Sequence, residues 1–358
     1  DFGNITGGNN TDIFNFTTGS ITNAVDGGAG TVNDTLTYAG GPVATVTLTA
    51  IGTNDGFQGT ATSLGTFDNI NTLVGSSGTD SLTGINADSA WTIDVGNTYV
   101  ANSRTLTFSA VEDLIGNAGA DTFNINTDHA GDLSGLGGDD IFDFADAVTV
   151  TGTISGGSGS DTMDFADVVT GIIILSISNT DANGSDGDAD NDTPPEDPID
   201  KGLAADDFTG IDTFIGTAGS ILIGPNTDTF YNITDTNTGT YGDSLVNIGA
   251  NSFNNFQIQG GTADDTFVFQ NNATAQISND IDGGAGTDTL AGSLAADTFN
   301  ITGTTSVTIT PSAGVATNLT SIETIDGANA TDDGTTTVGD TGNDIFNINN
   351  NWSGTLAG

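Results

Sequence analysis

The stretch that decides the fold is Gly156-Gly157-Ser158-Gly159-Ser160-Asp161-Thr162-Met163-Asp164, which recurs as Gly283-Gly284-Ala285-Gly286-Thr287-Asp288-Thr289-Leu290-Ala291. Each copy is a glycine-rich turn, followed by an aspartate and then by an apolar residue two places later. Glycine takes positive φ at little cost and lets the backbone approach a neighbour closely. A motif that recurs through a chain indicates architecture, so the sequence predicts a stack of similar turns.

Less regular copies of the motif extend along the chain, and Asp121, Asp140 and Asp161 lie 19 and 21 residues apart. Between the turns, β-branched and aromatic residues alternate with polar ones, as in 43–49 and 104–108, which is typical of strands. The sequence therefore predicts an all-β parallel β-solenoid, of the β-roll or β-helix type, with coils of roughly 20 residues. The apolar residues predicted to point into its core are Met163, Leu290, Phe123, Phe142, Phe267 and Phe346.

The same turns are candidate calcium sites. Turn carbonyls and the aspartate carboxylate converge, and calcium takes six to eight oxygen ligands. In the alternative interpretation, the aspartate caps the turn and glycine supplies the backbone angle, with no metal bound. The candidate ligands are Gly156, Ser158, Asp161, Asp164, Gly283, Ala285 and Asp288 in the two complete copies, and Asp12, Asp121, Asp140, Asp265 and Asp344 in the others.

The motif resembles the haemolysin-type, or RTX, calcium-binding repeat G-G-x-G-x-D-x-U-x, which is found in large repeat-rich bacterial surface proteins and adhesins. The resemblance implies bound Ca²⁺, an extracellular or cell-surface location, and folding that waits for external calcium. The spacing departs from the family. RTX repeats follow one another every nine residues and share each ion between two facing turns, whereas this chain has one motif per coil.

Composition excludes several partners. The chain of 358 residues has 47 acidic residues against two basic ones, and its net charge is −45. Nucleic acid and anionic membrane surfaces both require a basic footprint. No apolar run approaches the length of a membrane span. The absence of cysteine excludes disulfides and thiolate metal sites. Only three of the acids are glutamates, and a bias toward aspartate favours turns and cation ligation.

The segment 179–206 differs from the rest, because it is highly acidic and contains three of the six prolines. Proline is unfavourable in a central strand, so the segment predicts an acidic loop between solenoid domains at 1–178 and 207–358. A second interpretation is a calcium loop, because acids alternate from Asp186 onward. Its candidate ligands are Asp186, Asp188 and Asp190.

A second recurrent phrase has the form Ile/Val-x-x-Leu/Phe/Ile-x-Gly. It occurs at 70–75, 111–116, 211–216 and 322–327. Its spacing predicts a longer repeat of about five coils, with insertions of uneven length between them.

Few residues are available for catalysis. The only histidine is His129, expected at the surface, and the only cationic side chains are Arg104 and Lys201. The sequence therefore favours a non-enzymatic structural protein, such as an adhesin stalk, a surface layer or a filament subunit. Both ends fall within a repeat, so we expect adjoining repeats or like copies to meet the chain end to end.

The alternative function is a binding module. Threonines at alternate positions would form outward rows that bind ice or a cell-surface glycan, as in Thr45, Thr47 and Thr49. Such a face requires the threonines to align across consecutive coils.

Overall fold

The computed structural model describes residues 3–30, 32–170, 172–181, 184–192, 208–242, 251–270, 275–278, 280–292, 297–311, 316–326 and 345–357. No helix occurs among them, and hence none that is long and apolar enough to cross a membrane. The chain divides into two units, Asp1–Asp167 and Val168–Gly358. Each unit is a β-solenoid, as the sequence predicts.

The strands of unit 1 are short, and many of their residues are β-branched. They are β1 (Ile5–Thr6), β2 (Ile13–Asn15), β3 (Ile21–Asp26), β4 (Thr35–Thr37), β5 (Thr45–Ile51), β6 (Phe57–Ala61), β7 (Leu64–Ile70), β8 (Thr72–Val74), β9 (Ser81–Thr83), β10 (Ser89–Ile93), β11 (Thr98–Ala101), β12 (Arg104–Ser109), β13 (Asp113–Asn117), β14 (Asp121–Ile125), β15 (Leu133–Gly137), β16 (Ile141–Phe144), β17 (Ile154–Ser158) and β18 (Thr162–Asp164).

These strands build two sheets. Sheet A has the order β1-β3-β7-β6-β5-β9-β13-β15-β17. Sheet B has the order β2-β4-β8-β12-β11-β10-β14-β16-β18. The chain alternates between the sheets and pairs in parallel, as a solenoid requires. Two antiparallel meanders, β5-β6-β7 and β10-β11-β12, interrupt this pattern, and each inserts three strands into one sheet.

Unit 2 is built in the same way. Its strands are β19 (Ile172–Asp181), β20 (Gly184–Asp192), β21 (Phe208–Ile211), β22 (Thr213–Ile223), β23 (Phe230–Asp235), β24 (Thr238–Gly242), β25 (Asn251–Gln259), β26 (Thr266–Phe269), β27 (Ile281–Asp282), β28 (Thr289–Ala291), β29 (Thr298–Ile301), β30 (Val307–Thr310), β31 (Thr317–Thr320), β32 (Thr324–Asp326), β33 (Ile345–Ile348) and β34 (Thr355–Ala357).

Sheet C runs β22-β25-β24-β23-β26-β28-β32-β34. Sheet D runs β21-β20-β19-β22-β25-β27-β31-β30-β29-β33. The long strands β22 and β25 belong to both sheets, because each bends partway along its length. The antiparallel meanders of unit 2 are β19-β20-β21, β23-β24-β25 and β29-β30-β31.

The meanders explain the uneven coil length. Stacked corner residues lie 19, 21 and 23 residues apart where no meander intervenes, which matches the predicted coil of roughly 20. The separation is 32, 35 or 37 residues where the intervening chain contains a meander.

The second recurrent phrase marks where a meander ends and the chain turns to the other sheet. Its two apolar positions are buried in all four copies. The residue just before each phrase has a positive φ that redirects the chain, and these residues are Asn69, Ala110, Gly210 and Ser321.

Apolar side chains of successive coils stack in columns between the sheets. Trp91 stacks on Phe123 at 5.6 Å between ring centroids, and Phe123 stacks on Phe142 at 5.0 Å. Met163 continues this column from β18. Five of the six predicted core residues are at most 1% exposed, and the sixth, Phe346, is half-buried.

The acidic segment differs from its prediction. Residues 184–192 form β20, which pairs antiparallel with β19, so the predicted loop does not hold there. The segment's three prolines lie outside the described residues. The strands β19 and β20 both belong to the unit Val168–Gly358.

Candidate functional site

The predicted metal sites lie in turns that we call glycine corners, each running from a glycine to a buried aspartate. Corners of neighbouring coils stack where the strands that follow them pair in parallel, as β2 does with β4, β14 with β16, β16 with β18 and β26 with β28. The corner at 75–80 lies instead against residues 110–112, where the chain leaves the second meander. The aspartate is at most 1% exposed in most corners and half-buried at 7–12. The corners are 7–12, 75–80, 116–121, 135–140, 156–161, 260–265 and 283–288, with a longer version at 27–34.

In most corners, one oxygen of the aspartate carboxylate bonds to the neighbouring coil. The backbone N–H of Asp121 donates to Oδ1 of Asp140 at 2.8 Å, and the N–H of Asp140 donates to Oδ1 of Asp161 at 2.9 Å. In unit 2, the N–H of Asp265 donates to Oδ1 of Asp288 at 2.8 Å. A hydrogen bond to a charged group contributes about 1.5–3 kcal/mol, so these carboxylates stabilise the stack without any metal.

Where a coil contains a meander, the backbone N–H of the corner aspartate donates to a glutamate or asparagine side chain instead of to another corner aspartate. The N–H of Asp80 donates to Oε2 of Glu112 at 2.8 Å, and that of Asp288 donates to Oε2 of Glu323 at 3.0 Å. The N–H of Asp34 donates to Oδ1 of Asn71 at 3.2 Å. We did not predict these acceptors from the sequence. A signal was present, because two of the three glutamates occupy the same position of the second recurrent phrase.

The first residue of a corner has to be glycine, because the second carboxylate oxygen of the aspartate leaves no room for a β-carbon. A β-carbon on Gly135 would lie 1.9 Å from Oδ2 of Asp140 and 2.7 Å from the carbonyl oxygen of Gly156. A β-carbon on Gly283 would lie 2.7 Å from Oδ2 of Asp288. The later glycines have another role, as at Gly157, where φ is +108°. The motif therefore combines a close approach with a left-handed turn.

The corners differ in what Oδ2 contacts. Oδ2 accepts the N–H of Gly8 at Asp12, and the N–H of Gly261 at Asp265, at 2.7 and 2.8 Å. Among the described corners, the buried Oδ2 atoms of Asp121, Asp140 and Asp288 have no hydrogen-bond donor. These three atoms have capacity left for a proton or a cation.

Burial controls the charge of these carboxylates. It raises the pKa of Asp121, Asp140 and Asp288 to about 6 and that of Asp265 to about 7. Hydrogen bonds from backbone amides oppose the rise for Asp140, Asp265 and Asp288. These four carboxylates consequently titrate close to neutral pH.

A second, more exposed row of aspartates bonds in the opposite direction. Oδ1 of Asp139 accepts the N–H of Ser160 in the following coil at 2.9 Å, whereas Oδ1 of Asp140 accepts from the preceding coil. Asp264 and Asp265 repeat the arrangement, with the N–H of Thr287 donating to Asp264 at 2.7 Å. Paired aspartates thus continue the ladder of hydrogen bonds through the corner in both directions.

The predicted ligands are only partly brought together. The carbonyl of Ser158 accepts the N–H of Gly138, and Oδ1 of Asp164 accepts the N–H of Ala166. Ala285 is exposed and donates its N–H to the carbonyl of Gly261. Within the described residues, no three acidic or histidine side chains form a group that would hold a metal. A calcium ion at a corner would therefore take most of its ligands from backbone carbonyls.

The acidic segment contains the remaining predicted ligands. The carboxylate of Asp186 accepts the N–H of Gly210 and the amide of Asn179. Asp188 and Asp190 lie in β20, and their side chains are outside the described part of the chain, as is Asp344. A strand does not have the compact form of a calcium loop.

The described part of the chain contains two of its few basic side chains, His129 and Arg104. His129 is 8% exposed, contrary to the expectation of a surface residue, and burial lowers its pKa. Arg104 donates from Nη2 to the carbonyl of Asn54 at 2.9 Å, and so ties the second meander to the first.

No protein-family model matches the chain, and no curated protein matches it.

Proposed function

We propose that this chain is a non-enzymatic structural protein of the cell exterior, whose solenoid is stabilised by calcium. It would act as an adhesin stalk, a surface layer or a filament subunit, meeting adjoining repeats or like copies end to end. The observation that carries the proposal is the column of corner aspartates, which commits buried carboxylates to fastening one coil to the next. Such a use of buried acidic residues suits a scaffold.

Calcium enters the proposal through Oδ2 of Asp121, Asp140 and Asp288. These oxygens are buried without a donor, and in each corner Oδ2 and a carbonyl oxygen of the next coil lie against the same first glycine. A β-carbon built on Gly116 would lie 2.2 Å from Oδ2 of Asp121 and 2.8 Å from the carbonyl oxygen of Gly135. Converging carboxylate and carbonyl oxygens are the ligands that calcium prefers.

A calcium titration tests whether the corners bind calcium. We expect calcium, but not magnesium, to raise the melting temperature of the chain in circular dichroism, because an ion that binds only the folded state stabilises it. Asp140→Asn should reduce the shift, since it removes the charge at Oδ2. Asp94→Asn should retain the full shift, because Asp94 lies in the exposed turn between β10 and β11. An equal shift in both variants, or none in the parent, would refute calcium binding at the corners.

A second candidate function is favoured by the register of the threonines. Five consecutive strands of sheet B place a threonine at the same position, in the row Thr35, Thr72, Thr107, Thr98 and Thr92. Sheet C has a similar row of Thr266, Thr289, Thr324 and Thr355. The hydroxyls of a row repeat about every 4.8 Å, the spacing of paired strands. A regular row of this kind suits an ordered surface such as ice or an extended glycan.

A matched pair of substitutions tests the threonine row. Thr107 lies in the row of sheet B, whereas Thr105 is exposed on the same strand but pairs with Val100. Thr107→Val should weaken ice-growth inhibition or glycan binding, and Thr105→Val should leave it unchanged. If neither activity is found in the parent protein, this second function is wrong.

A further inference from the structure

The order of strands in unit 1 is not the order in which the chain makes them. In the first meander, the chain enters on β5, which pairs with the later strand β9, and leaves on β7, which pairs with the earlier strand β3. In the second meander, β10 pairs with the later β14, and β12 pairs with the earlier β8. The chain therefore skips ahead in the sheet, folds back, and only then continues.

This order determines what happens when the chain is pulled from its N-terminal side. Strands β1 to β4 peel as edge strands, because each has one remaining neighbour when its turn comes. The next strand along the chain is β5, which lies inside sheet A. It has five register pairs with β6 and three with β9. The exposed edge at that moment is β7, which the tension has not yet reached.

The same obstacle exists in the other direction. Once β13 to β18 have been removed, the next strand back along the chain is β12. It lies inside sheet B, with three register pairs to β8 and four to β11. In a simple solenoid, the next strand under tension is always an edge strand. Here, from either side, it is an interior strand that is held by two ladders of hydrogen bonds.

We infer that the meanders of unit 1 are mechanical stops that prevent the solenoid from unravelling coil by coil. Extraction of β5 removes the support of β6 and β7, so the whole meander is released in one event. Unit 2 follows the same rule, since β29 pairs with the later β33 and β31 with the earlier β27. The biological role of such stops rests on the proposed scaffold function. The pairing order is a property of the fold and is independent of that proposal.

Force spectroscopy on the full chain tests the inference. The chain contains no cysteine, so handles attach only at introduced positions. Gly3 and Ala130 are exposed, and Gly3→Cys with Ala130→Cys applies tension across the first meander. The measurement is made in chelator, so that its result is independent of any calcium response.

We expect two phases in the force ramp. Residues up to the start of β5 should come off at low force, lengthening the chain by about 14 nm at about 0.35 nm per residue. A single event at higher force should then release the chain from β5 through β8, adding about 10 nm. Release of this stretch in smaller steps, at the force of the first phase, would overturn the inference.

Moving the first handle provides the matched control. Ala39 is exposed and directly precedes the first meander. In Ala39→Cys with Ala130→Cys, tension reaches β5 without passing through β1 to β4. The low-force phase should disappear and the high-force extraction of β5 should remain, although β7 then also has to separate from β3, which is still in place. A low-force release of the meander from this handle would contradict a stop at β5.

Discussion

Gly135→Ala is the sharpest test of how the corners are built. The new β-carbon would lie 1.9 Å from Oδ2 of Asp140 and 2.7 Å from the carbonyl oxygen of Gly156. Carbon and oxygen do not approach this closely, so either the carboxylate or the next coil must move by more than about 1 Å. Movement of the carboxylate breaks its bond from the N–H of Asp121, which is 2.8 Å long and buried.

The expected cost follows from these contacts. Overpacking costs about 1–3 kcal/mol, and a buried amide left without an acceptor costs about 1–3 kcal/mol. Alanine returns about 0.4–1 kcal/mol by restricting the unfolded chain. We therefore expect Gly135→Ala to lower the free energy of unfolding of unit 1 by about 3 kcal/mol.

Urea denaturation measures this change, with Trp91 as the probe, because it is buried against Phe123 in unit 1. The other tryptophan, Trp352, belongs to unit 2 and is replaced by phenylalanine in the parent. The control is Gly96→Ala, where the nearest atom to the new β-carbon is 3.8 Å away. We expect the control to change stability by less than about 0.5 kcal/mol. If both variants behave alike, the close approach at the first glycine is not required.

Three further predictions follow, two for the corner columns and one for the aromatic column of the core. Glu112→Asp shortens the side chain that accepts the N–H of Asp80 and should weaken this bond at a cost of about 1–2 kcal/mol in urea denaturation, whereas Glu112→Gln keeps an acceptor of the same length and should cost much less; similar losses would show that reach is unimportant. In chelator, the free energy of unfolding should fall as pH rises from about 4 to about 7. Burial raises the pKa of Asp140 to about 6, whereas an aspartate in the unfolded chain has a pKa near 3.9. Between these values the folded state holds a proton that the unfolded chain has lost, so raising the pH favours unfolding. Asp140→Asn should reduce this slope by up to about 1.4 kcal/mol per pH unit, and an unchanged slope would mean that Asp140 is already ionised. Phe123→Leu removes two stacked contacts from the core column and should cost about 1–3 kcal/mol beyond the lost area, with a fall confined to unit 1.

The sequence predicted the fold because the information it needs is local. A glycine turn, an aspartate and an apolar residue two places later together define one corner and the strand that follows. The prediction that Met163 and Leu290 are core residues is confirmed, since both are at most 1% exposed. Coil length was predicted where successive motifs are 19 to 23 residues apart.

The strand order was not predicted, because it depends on pairing between distant segments. The alternating pattern of 43–49 identifies a strand but does not indicate whether its neighbour is β4, β6 or β9. The second recurrent phrase was recognised as a repeat, yet its meaning as the exit of a meander requires the fold. Likewise, a histidine in a polar turn predicts exposure, whereas neighbouring coils bury His129, with a bridge to Val150 on one side and the backbone of Glu112 on the other.

The corner hydrogen bonds also account for the bias toward aspartate. Stacked strands lie about 4.8 Å apart, and a side chain with one methylene carries its carboxylate to the backbone amide of the neighbouring coil. Glutamate is used at Glu112 and Glu323, where the chain returns from a meander and the acceptor is supplied by the longer side chain. The abundance of aspartate is therefore not itself an argument for calcium, since Oδ1 has a structural role in every column described. The calcium proposal depends instead on Oδ2 of Asp121, Asp140 and Asp288, which makes it a proposal about these three corners rather than about every copy of the motif.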